Sequence, residues 1–426
     1  MKPFLKWAGG KSQLSSIIID LIHSLYEDEA FTYHEPFLGG GSIFFKLKPK
    51  KAYLNDYNSE LINAYQVVVN NTKRLQKKLD QFIKMFEKNQ HEFYYALRAW
   101  DRTDAYNKKN NVDKAARMIF LNKTCYNGLY RVNLKGQFNT PIGKSRTISI
   151  YDESNFSDIS NYVNNNDIVF LNGDYANALA HVKENDLVYV DPPYDYEDSG
   201  FTKYQKEGFT FENFKQLKHA LDQCIQRGAN VIISNNATQR VIDLFNNDEN
   251  YTIMYQINKY QTRRSINSNG AKRKNGEEVI ILGKQIFPQS NDVNKLINLI
   301  RIEEANSLLD KKKLIDFLEV TTPRQVDYYL NALKYLKLID NNRAFTRRAV
   351  EMRKSSLIVC KHLLVKTIYE DALFEDIDEL TKSKNRMLTD YEIKQIIKKH
   401  YPNYSDSTIT RRASTVISWL NWCINI

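Results

Sequence analysis

Short apolar runs alternate with amphipathic segments through the first two thirds of the 426-residue chain. Six runs rich in β-branched and aromatic residues predict strands at residues 52–55, 167–171, 187–190, 231–234, 252–257 and 279–282. Apolar positions recur at helical spacing in residues 60–69, 213–227 and 239–245. This alternation predicts an α/β fold of the Rossmann-like type, a mostly parallel sheet with helices on both faces.

Residues 61–146 interrupt the alternation. The segment is basic and rich in tyrosine, its spacing is mainly helical, and it ends in a stretch rich in Gly and Asn. Because it is too long for a plain connection, we interpret it as an inserted recognition subdomain of a domain that covers residues 1–287.

From residue 288 onward the strand signals end and helical spacing takes over. Thr322 followed by Pro323 predicts a capped helix start, and residues 338–346 could form a small β wing. We therefore expect a mainly helical extension over residues 288–426, with a first winged-helix or helix-turn-helix unit at about residues 295–350.

A second such unit is predicted at about residues 387–426. A capping box from Thr389 to Glu392 starts one helix, and a second helix begins near Ser407. Its inward face is predicted to carry Ile409, Ala413, Val416 and Leu420. Its outer face is predicted to carry Thr408, Arg411, Arg412 and Thr415. A basic outer face indicates DNA reading, and a small all-helical packing domain remains the alternative.

The balance of charges indicates the kind of partner. With 61 Lys and Arg against 50 Asp and Glu, the net charge is +11, so a polyanion such as nucleic acid is a natural partner. The four cysteines form no CxxC pair and only seven histidines occur, which indicates neither a disulfide framework nor a metal site. No run reaches the ~18 apolar residues of a membrane span, so we expect a cytoplasmic protein.

A tetrapeptide after the run at residues 187–190 carries the candidate chemistry. It consists of Asp191, Pro192, Pro193 and Tyr194. Because proline cannot donate to a sheet, the strand is predicted to end here, at the edge where open α/β sheets bind ligands. Asp191 and the Pro192 carbonyl could accept both N–H bonds of an exocyclic amino group while Tyr194 stacks on the base. An Asp-Pro-Pro turn that only closes the strand is the alternative.

A glycine-rich turn indicates a nucleotide-like cofactor. It comprises Glu35, Pro36, Phe37, Gly39, Gly40, Gly41 and Ser42, and it precedes a helical segment. A predicted strand then ends in Asp56, which is well placed for ribose hydroxyls. Since the turn is neither GxGxxG nor GxxxxGK[ST], another adenosine ligand is favoured over a dinucleotide or a nucleoside triphosphate.

Two further segments fit an adenosine ligand. Asp174 and Tyr175, at the tip of the strand at residues 167–171, could accept from an adenine amino group and flank its ring, although an Asn-Gly-Asp turn is the commonplace alternative. Near the N-terminus, Trp7 lies beside two glycines and between Lys6 and Lys11, which indicates a role in ligand binding.

These motifs together resemble the Dam-like DNA adenine N6-methyltransferases, in the α arrangement where the glycine turn comes first and DPPY last. The resemblance covers about residues 1–284. In family order the chain contains PFLKWAGGK, EPFLGGGSIFF, LNDYNSELINAY, NKTCYNGLYRVN, GQFNTPIGK and VYVDPPY.

The resemblance implies S-adenosylmethionine as the cofactor. The residues implied to meet it are Trp7, Ala8, Gly9, Gly10 and Lys11. Glu35, Pro36 and Phe37 would line its methionine side and Asp56 its ribose, and Asp174 with Tyr175 would line its adenine.

The resemblance also implies double-stranded DNA as the substrate. Lys6 and a hairpin at residues 126–144 would approach it. Within the hairpin, Tyr126 and Asn127 would fill the space left by a flipped adenine, Leu129, Arg131 and Pro141 would face the flanking bases, and Lys144 would face phosphates. The segment agrees with members that modify GATC, so GATC is the expected site.

We therefore expect a site-specific DNA adenine N6-methyltransferase of a restriction-modification system, for which a separately encoded cognate endonuclease is a candidate partner. Cytosine N4 methylation could use the same tetrapeptide and is the nearest alternative. A DNA-binding regulator without catalysis is the alternative from another class, and it would be expected to show a damaged tetrapeptide or glycine turn.

Overall fold

The computed structural model describes most of the chain in separate stretches. They are residues 1–7, 11, 13–26, 30–144, 149–194, 209–246, 253–263, 275–287, 289–302, 308, 310–340, 343–401, 404 and 406–426. The chain divides into two compact units. The first comprises residues 1–221, 231–241 and 257–281, and the second comprises residues 222–230, 242–256 and 282–426.

A seven-stranded sheet organises the α/β region. Its strands are β1 (Tyr33–Glu35), β2 (Lys51–Asp56), β3 (Asp167–Asn172), β4 (Leu187–Val190), β5 (Asn230–Asn236), β6 (Ile253–Arg263) and β7 (Asn275–Gln285). They lie in the order β3-β2-β1-β4-β5-β7-β6. The predicted Rossmann-like α/β class is therefore confirmed.

The register of the parallel strands brings their carboxyl ends to one edge. β1 pairs in parallel with β2 and with β4, and β2 pairs in parallel with β3. Glu35 lies opposite Leu54, and Asp56 lies opposite Asn172. From β1 the chain continues to β2 and β3 on one side of the sheet, and from β4 it continues to β5 on the other side. Sheets of this kind bind ligands in the crevice between the two strands where the direction changes, here β1 and β4.

All six predicted strands occur, but β1 was not predicted. This strand has only three residues, Tyr33, His34 and Glu35, and all three are buried. A run of this length with two polar members has no periodicity that could distinguish it from a loop. It becomes a strand because β2 and β4 satisfy its backbone from both sides.

Helices flank the sheet and build the insert. They are α1 (Ser15–Tyr26), α2 (Ser42–Leu47), α3 (Ser59–Asn70), α4 (Thr72–Lys88), α5 (Gln90–Arg98), α6 (Asn111–Thr124), α7 (Glu153–Asn164), α8 (Ala176–Leu179), α9 (Phe211–Gln226) and α10 (Gln239–Asn246). In the insert, Phe120 of α6 packs between Phe82, Phe86 and Phe93, with ring centroids 5.3–5.8 Å apart. The insert thus has an aromatic core of its own.

The C-terminal part of the second unit is helical. It contains α11 (Val293–Ile300), α12 (Lys311–Phe317), α13 (Pro323–Tyr335), α14 (Arg347–Lys354), α15 (Leu357–Tyr369), α16 (Ala372–Lys384), α17 (Asp390–His400) and α18 (Asp406–Ile424). The predicted cap at Thr322 starts α13 and the predicted capping box at Thr389 starts α17, and the cap at Thr322 is itself a capping box with Gln325. Ile339 and Phe345 form an antiparallel bridge where the wing was predicted.

The predicted outer face of α18 consists of Thr408, Arg411, Arg412 and Thr415, and the prediction is wrong for three of these four residues. Thr408 and Thr415 are buried, and the Arg412 guanidinium lies 5.4 Å from the centre of the Phe287 ring. Of these four residues, only Arg411 is exposed. The threonine hydroxyls and an arginine over an aromatic ring pack inside this unit, so the helix does not present a basic outer face.

Candidate active site

The ends of β1, β2 and β3 are joined by a buried amide. Asn55 Nδ2 donates to the carbonyl oxygens of Pro36 at 3.1 Å and Gly173 at 3.0 Å. The Leu38 N–H in turn donates to the Asn55 carbonyl at 2.9 Å. This one side chain therefore holds the glycine turn and the loop after β3 at fixed positions around the sheet edge.

The glycine turn comes close to Trp7. Gly39 and Gly41 have positive φ angles of 49° and 67°, which glycine adopts without strain. A Cβ atom on Gly39 would lie 2.9 Å from Trp7 Cδ1, and one on Gly40 would lie 3.0 Å from Trp7 Cβ. Since real Cβ contacts are longer, only glycine lets the backbone approach the indole in this way. Ser42 follows as the first residue of α2.

Two carboxyl groups flank this turn. Burial raises the pKa of Glu35 well above its ordinary value, and the Tyr33 hydroxyl, which donates to Glu35 Oε2 at 3.0 Å, opposes that rise. Burial also raises the pKa of Asp56, against the N–H groups of Asn58 and Gly39, which donate to it at 2.9 Å. Asp56 thus fixes the turn while its oxygens retain lone pairs for further donors.

Two aromatic rings lie beside the acids. Phe37 and Tyr175 stack with their centroids 5.7 Å apart, and Phe209 meets Phe37 edge to face at 6.0 Å. Asp174 is exposed, and its Oδ1 accepts from the Ala176 N–H at 2.9 Å. The structure therefore brings the predicted cofactor residues Glu35, Phe37, Asp56, Asp174 and Tyr175 to the same edge of the sheet. Ala8, Gly9 and Gly10 lie outside the described residues.

Asp191 follows β4 directly and lies in a cluster of charged groups. Lys11, whose side chain is only 3% exposed, lies 3.0 Å from Asp191 Oδ1 and 3.0 Å from Glu278 Oε2. The Tyr194 hydroxyl donates to the same Glu278 oxygen at 2.8 Å, and the Lys11 ammonium lies 4.2 Å from the centre of the Tyr194 ring. Lys11, which the resemblance assigns to the cofactor, thus contacts the tetrapeptide.

The electrostatics of Asp191 follow from this cluster. Burial raises the pKa of Asp191 to about 6, and the Lys11 ammonium opposes that rise. Asp191 Oδ1 is shielded from water and faces the Lys11 ammonium at 3.0 Å. Because an ionised carboxylate has about four lone-pair sites, Asp191 can accept from a further donor as well. Pro192 is buried beside it, and Pro193 is exposed.

The predicted DNA hairpin is anchored to the N-terminal segment. Asn122 Oδ1 accepts from the Lys6 N–H at 2.8 Å, and its Nδ2 donates to the carbonyls of Lys6 at 2.7 Å and Gly128 at 3.1 Å. Tyr126 is 40% exposed and Asn127 has a positive φ of 55°, so a sharp turn presents both side chains outward. The Tyr126 N–H donates to the Pro141 carbonyl at 2.9 Å.

The remaining hairpin residues lie at the surface. Arg131 Nε donates to Asn139 Oδ1 at 2.7 Å, which holds the guanidinium along the hairpin. Leu129 is half-buried, whereas Pro141 and Lys144 are exposed. The hairpin also reaches the cofactor residues, because Tyr130 stacks on Trp7 with centroids 5.4 Å apart.

Sequence reasoning missed three residues that organise the site: Asn55, Asn122 and Glu278. Each is polar and is contributed by an apolar or helical stretch. Asn55 and Asn122 are buried to 1% and 0% exposure. A buried polar side chain within a periodic segment is a signal that could have been used, but its partners are far away in sequence.

Within the described stretches of the chain, no three His, Cys, Asp or Glu side chains lie together in an arrangement suited to a metal ion. None of the helices within those stretches is long and apolar enough to cross a membrane.

The sheet order, the glycine turn at the end of β1 and the acid after β4 define a Rossmann-like methyltransferase. Residues 7–266 match the family model of the D12 class N6 adenine-specific DNA methyltransferases. The chain belongs to this family, which is a family of enzymes. Residues 295–426 match a separate domain of unknown function, DUF7226.

Three relatives show how far the likeness extends. The chain is 36% identical over 283 residues to the Type II methyltransferase M1.LlaDCHI of Lactococcus lactis subsp. cremoris, and covers 95% of it with 66% of its own length. It is 39% identical over 294 residues to the Type II methyltransferase M.MjaIII of Methanocaldococcus jannaschii (65% of this chain, 96% of the relative). It is 31% identical over 287 residues to the DNA adenine methylase of Escherichia coli K12 (66% and 95%).

Proposed function

We propose that this protein transfers a methyl group from S-adenosylmethionine to N6 of an adenine in duplex DNA. The observation that carries the proposal is the Asp191 carboxylate, which follows β4, faces the same Lys11 ammonium that lies over the Tyr194 ring, and can accept from a further donor. An exocyclic amino group would supply that donor, and the ring would supply a stacking surface for the base.

The residues around the glycine turn fit the cofactor. Gly39 and Gly40 hold the turn close against the Trp7 side chain, Asp56 retains acceptor capacity for ribose hydroxyls, and the Phe37 and Tyr175 rings suit a purine. Trp7, Glu35, Pro36, Gly41, Ser42, Asp174 and Lys11 complete the proposed cofactor side, together with Ala8, Gly9 and Gly10. When bound, S-adenosylmethionine supplies an electrophilic methyl group on a sulfonium.

Asp191 and the Pro192 carbonyl are proposed to accept both N6 hydrogens. These hydrogen bonds would draw the nitrogen toward tetrahedral geometry and make its lone pair available to the methyl group, whose bond to sulfur would break so that the sulfur leaves as a neutral thioether. The proton leaves afterwards, through Asp191 or water. Catalysis is then mainly positioning and charge complementarity.

An adenine inside a duplex cannot reach Asp191, so the base is proposed to flip out at a cost of a few kcal/mol. Tyr126 and Asn127, which the hairpin turn presents outward, would fill the space it leaves. Arg131, Leu129 and Pro141 would face the flanking bases, and Lys6 and Lys144 would meet phosphates. GATC is the proposed site, on the likeness of the hairpin.

The proposed methyltransferase domain covers residues 1–287, and residues 288–426 form an added helical domain. Relatives named Type II methyltransferases support a restriction-modification setting with a separately encoded endonuclease. Cytosine N4 methylation is the second candidate because its amino group has the same chemistry. The intact tetrapeptide and glycine turn speak against a silent DNA-binding regulator.

The test incubates the full chain with S-adenosylmethionine and unmethylated duplex DNA, then analyses the nucleosides by mass spectrometry. We expect N6-methyladenine from the wild-type chain and none from Asp191→Ala, which should still bind the cofactor. N4-methylcytosine would favour the second candidate, and activity of Asp191→Ala near the wild-type level would reject the role of Asp191. Sequencing the methylated positions tests GATC.

A further inference from the structure

The charged cluster beside Asp191 contains an acid that the tetrapeptide and the glycine turn do not include. Glu278 lies on β7, far from both in sequence, and its side chain is 19% exposed. Its Oε2 accepts from the Tyr194 hydroxyl at 2.8 Å and from Lys11 at 3.0 Å, and its Oε1 accepts from the Thr262 hydroxyl at 3.1 Å. Three donors therefore fix one carboxylate.

The neighbouring acid on the same strand has a different setting. Glu277 lies 3.9 Å from Lys259 and accepts from Gln261 at 3.0 Å, and its side chain is 38% exposed. Its partners lie on β6 and it makes no contact with Tyr194 or Lys11 in the described residues. The two adjacent glutamates thus provide a site residue and a matched control.

We propose that Glu278 is a positioning residue for methyl transfer, which holds the Tyr194 ring through its hydroxyl and shares the Lys11 ammonium with Asp191. This inference rests on the proposed function. Without Glu278, Tyr194 would lose a hydrogen bond that restrains the base-stacking ring. Lys11 would then pair with Asp191 alone and compete more strongly for the oxygen that should accept the N6 hydrogen.

The charge distribution explains why a shared lysine suits the reaction. One ammonium faces two carboxylates, so neither is fully neutralised and Asp191 remains an acceptor. The other groups that affect the electrostatics here are Ser234, whose hydroxyl lowers the pKa of Asp191, and the buried Glu35 and Tyr189, whose pKa values Asp191 raises. Glu278 raises the pKa of Asp191, and Lys11 lowers it.

The test measures the single-turnover rate of N6-adenine methylation by the full chain with enzyme in excess over duplex DNA. Glu278→Gln and Tyr194→Phe should each slow the step about tenfold, as expected for loss of a hydrogen bond to a charged group. The double variant should be slowed by less than the two single effects multiplied together, because both changes weaken the same Tyr194–Glu278 contact. Glu277→Gln should keep the wild-type rate.

The pH dependence separates positioning from a purely structural role. Glu278→Gln removes a negative charge that faces Asp191, so the acid limb of its rate profile should move to lower pH, whereas that of Glu277→Gln should not move. Equal rates and equal limbs for Glu278→Gln and Glu277→Gln would overturn the inference, and so would independent losses that multiply in the double variant.

The outcomes also separate this inference from the proposed function. A wild-type chain that makes no N6-methyladenine contradicts the proposed function itself. A wild-type chain that makes it, with Glu278→Gln equally fast, contradicts only the role of Glu278. If Glu278→Gln does not fold, Tyr194→Phe still decides, because an unchanged rate would show that the hydroxyl contact has no effect.

Discussion

Replacing Asp191 with Asn should stabilise the protein at neutral pH while it abolishes methyl transfer. The pKa of Asp191 is raised by burial from 3.8 to about 6, so the folded protein binds its proton more tightly than the unfolded chain does. For an acid with a raised pKa, stability is lost as the pH rises from about 4 to about 7. An asparagine does not ionise, so the stability of Asp191→Asn relative to the wild type increases over the same pH range.

The magnitude follows from the two pKa values. Ionising Asp191 costs the fold about 2 kcal/mol at pH 5 and about 3 kcal/mol at pH 8. Water screens part of this cost, because 20% of the side chain is exposed. The quantity to measure is the difference between the two pH values, about 1 kcal/mol, because any pH-independent cost of the amide cancels in it.

The assay is urea unfolding of the full chain at pH 5 and pH 8, with hydrogen exchange of peptides from β1 and β4 as the signal. We expect the gain in unfolding free energy of Asp191→Asn over the wild type to be larger at pH 8 than at pH 5 by about 1 kcal/mol. Asp158→Asn, on the exposed side of α7, serves as the control and should show no such gain. An equal effect of Asp191→Asn at both pH values would show that ionising Asp191 does not destabilise the fold.

Two further predictions concern the cofactor turn and the hairpin. Gly39→Ala should weaken S-adenosylmethionine binding at least about tenfold, as measured by calorimetry. The residue has a positive φ, and the added Cβ would lie 2.9 Å from Trp7 Cδ1, so the turn would have to shift. An unchanged affinity would contradict the proposed position of the cofactor. In competition binding, Arg131→Ala should reduce the discrimination between the target site and altered sites by about 1–3 kcal/mol. Lys144→Ala should instead weaken binding to all DNA sequences by the same factor and lower the salt dependence of binding. If Arg131→Ala lost the same binding affinity on every sequence, Arg131 would contact a phosphate and not a base.

The sequence predicted the part of the site that lies in continuous motifs. The strand before Asp191 was evident because four apolar residues end at two prolines, and burial of all of β4 confirms it. Asp56 was expected at a strand end, and β2 ends there. In both places, local backbone chemistry alone determines where the side chain lies.

The contacts between distant segments could not be predicted in this way. Lys11 and Glu278 are 267 residues apart, and only the position of β7 in the sheet brings them together. On α18, helical periodicity identified the inward residues, but it could not show that Thr408 and Thr415 are buried as well. Interpreting periodicity assumes that one face of a helix is buried and the opposite face is solvated. A helix that packs against neighbours on more than one side does not meet this assumption.

The residues after α10 also limit how the C-terminal domain can be tested. Ile286 and Phe287 are buried in the core of the second unit, and Lys334 of α13 donates to the Ile253 carbonyl at 2.5 Å. A chain cut near residue 286 would therefore expose apolar surface. Substitutions in the full chain are the better way to measure what this domain contributes to DNA binding.

A crystal structure of the full chain with a GATC duplex and a non-reactive analogue of S-adenosylmethionine would show directly where the target base lies. We expect an adenine outside the helix, stacked on Tyr194, with N6 within hydrogen-bond distance of Asp191 and the Pro192 carbonyl. A target adenine held against Tyr194 by other groups, with Asp191 directed away from N6, would contradict it.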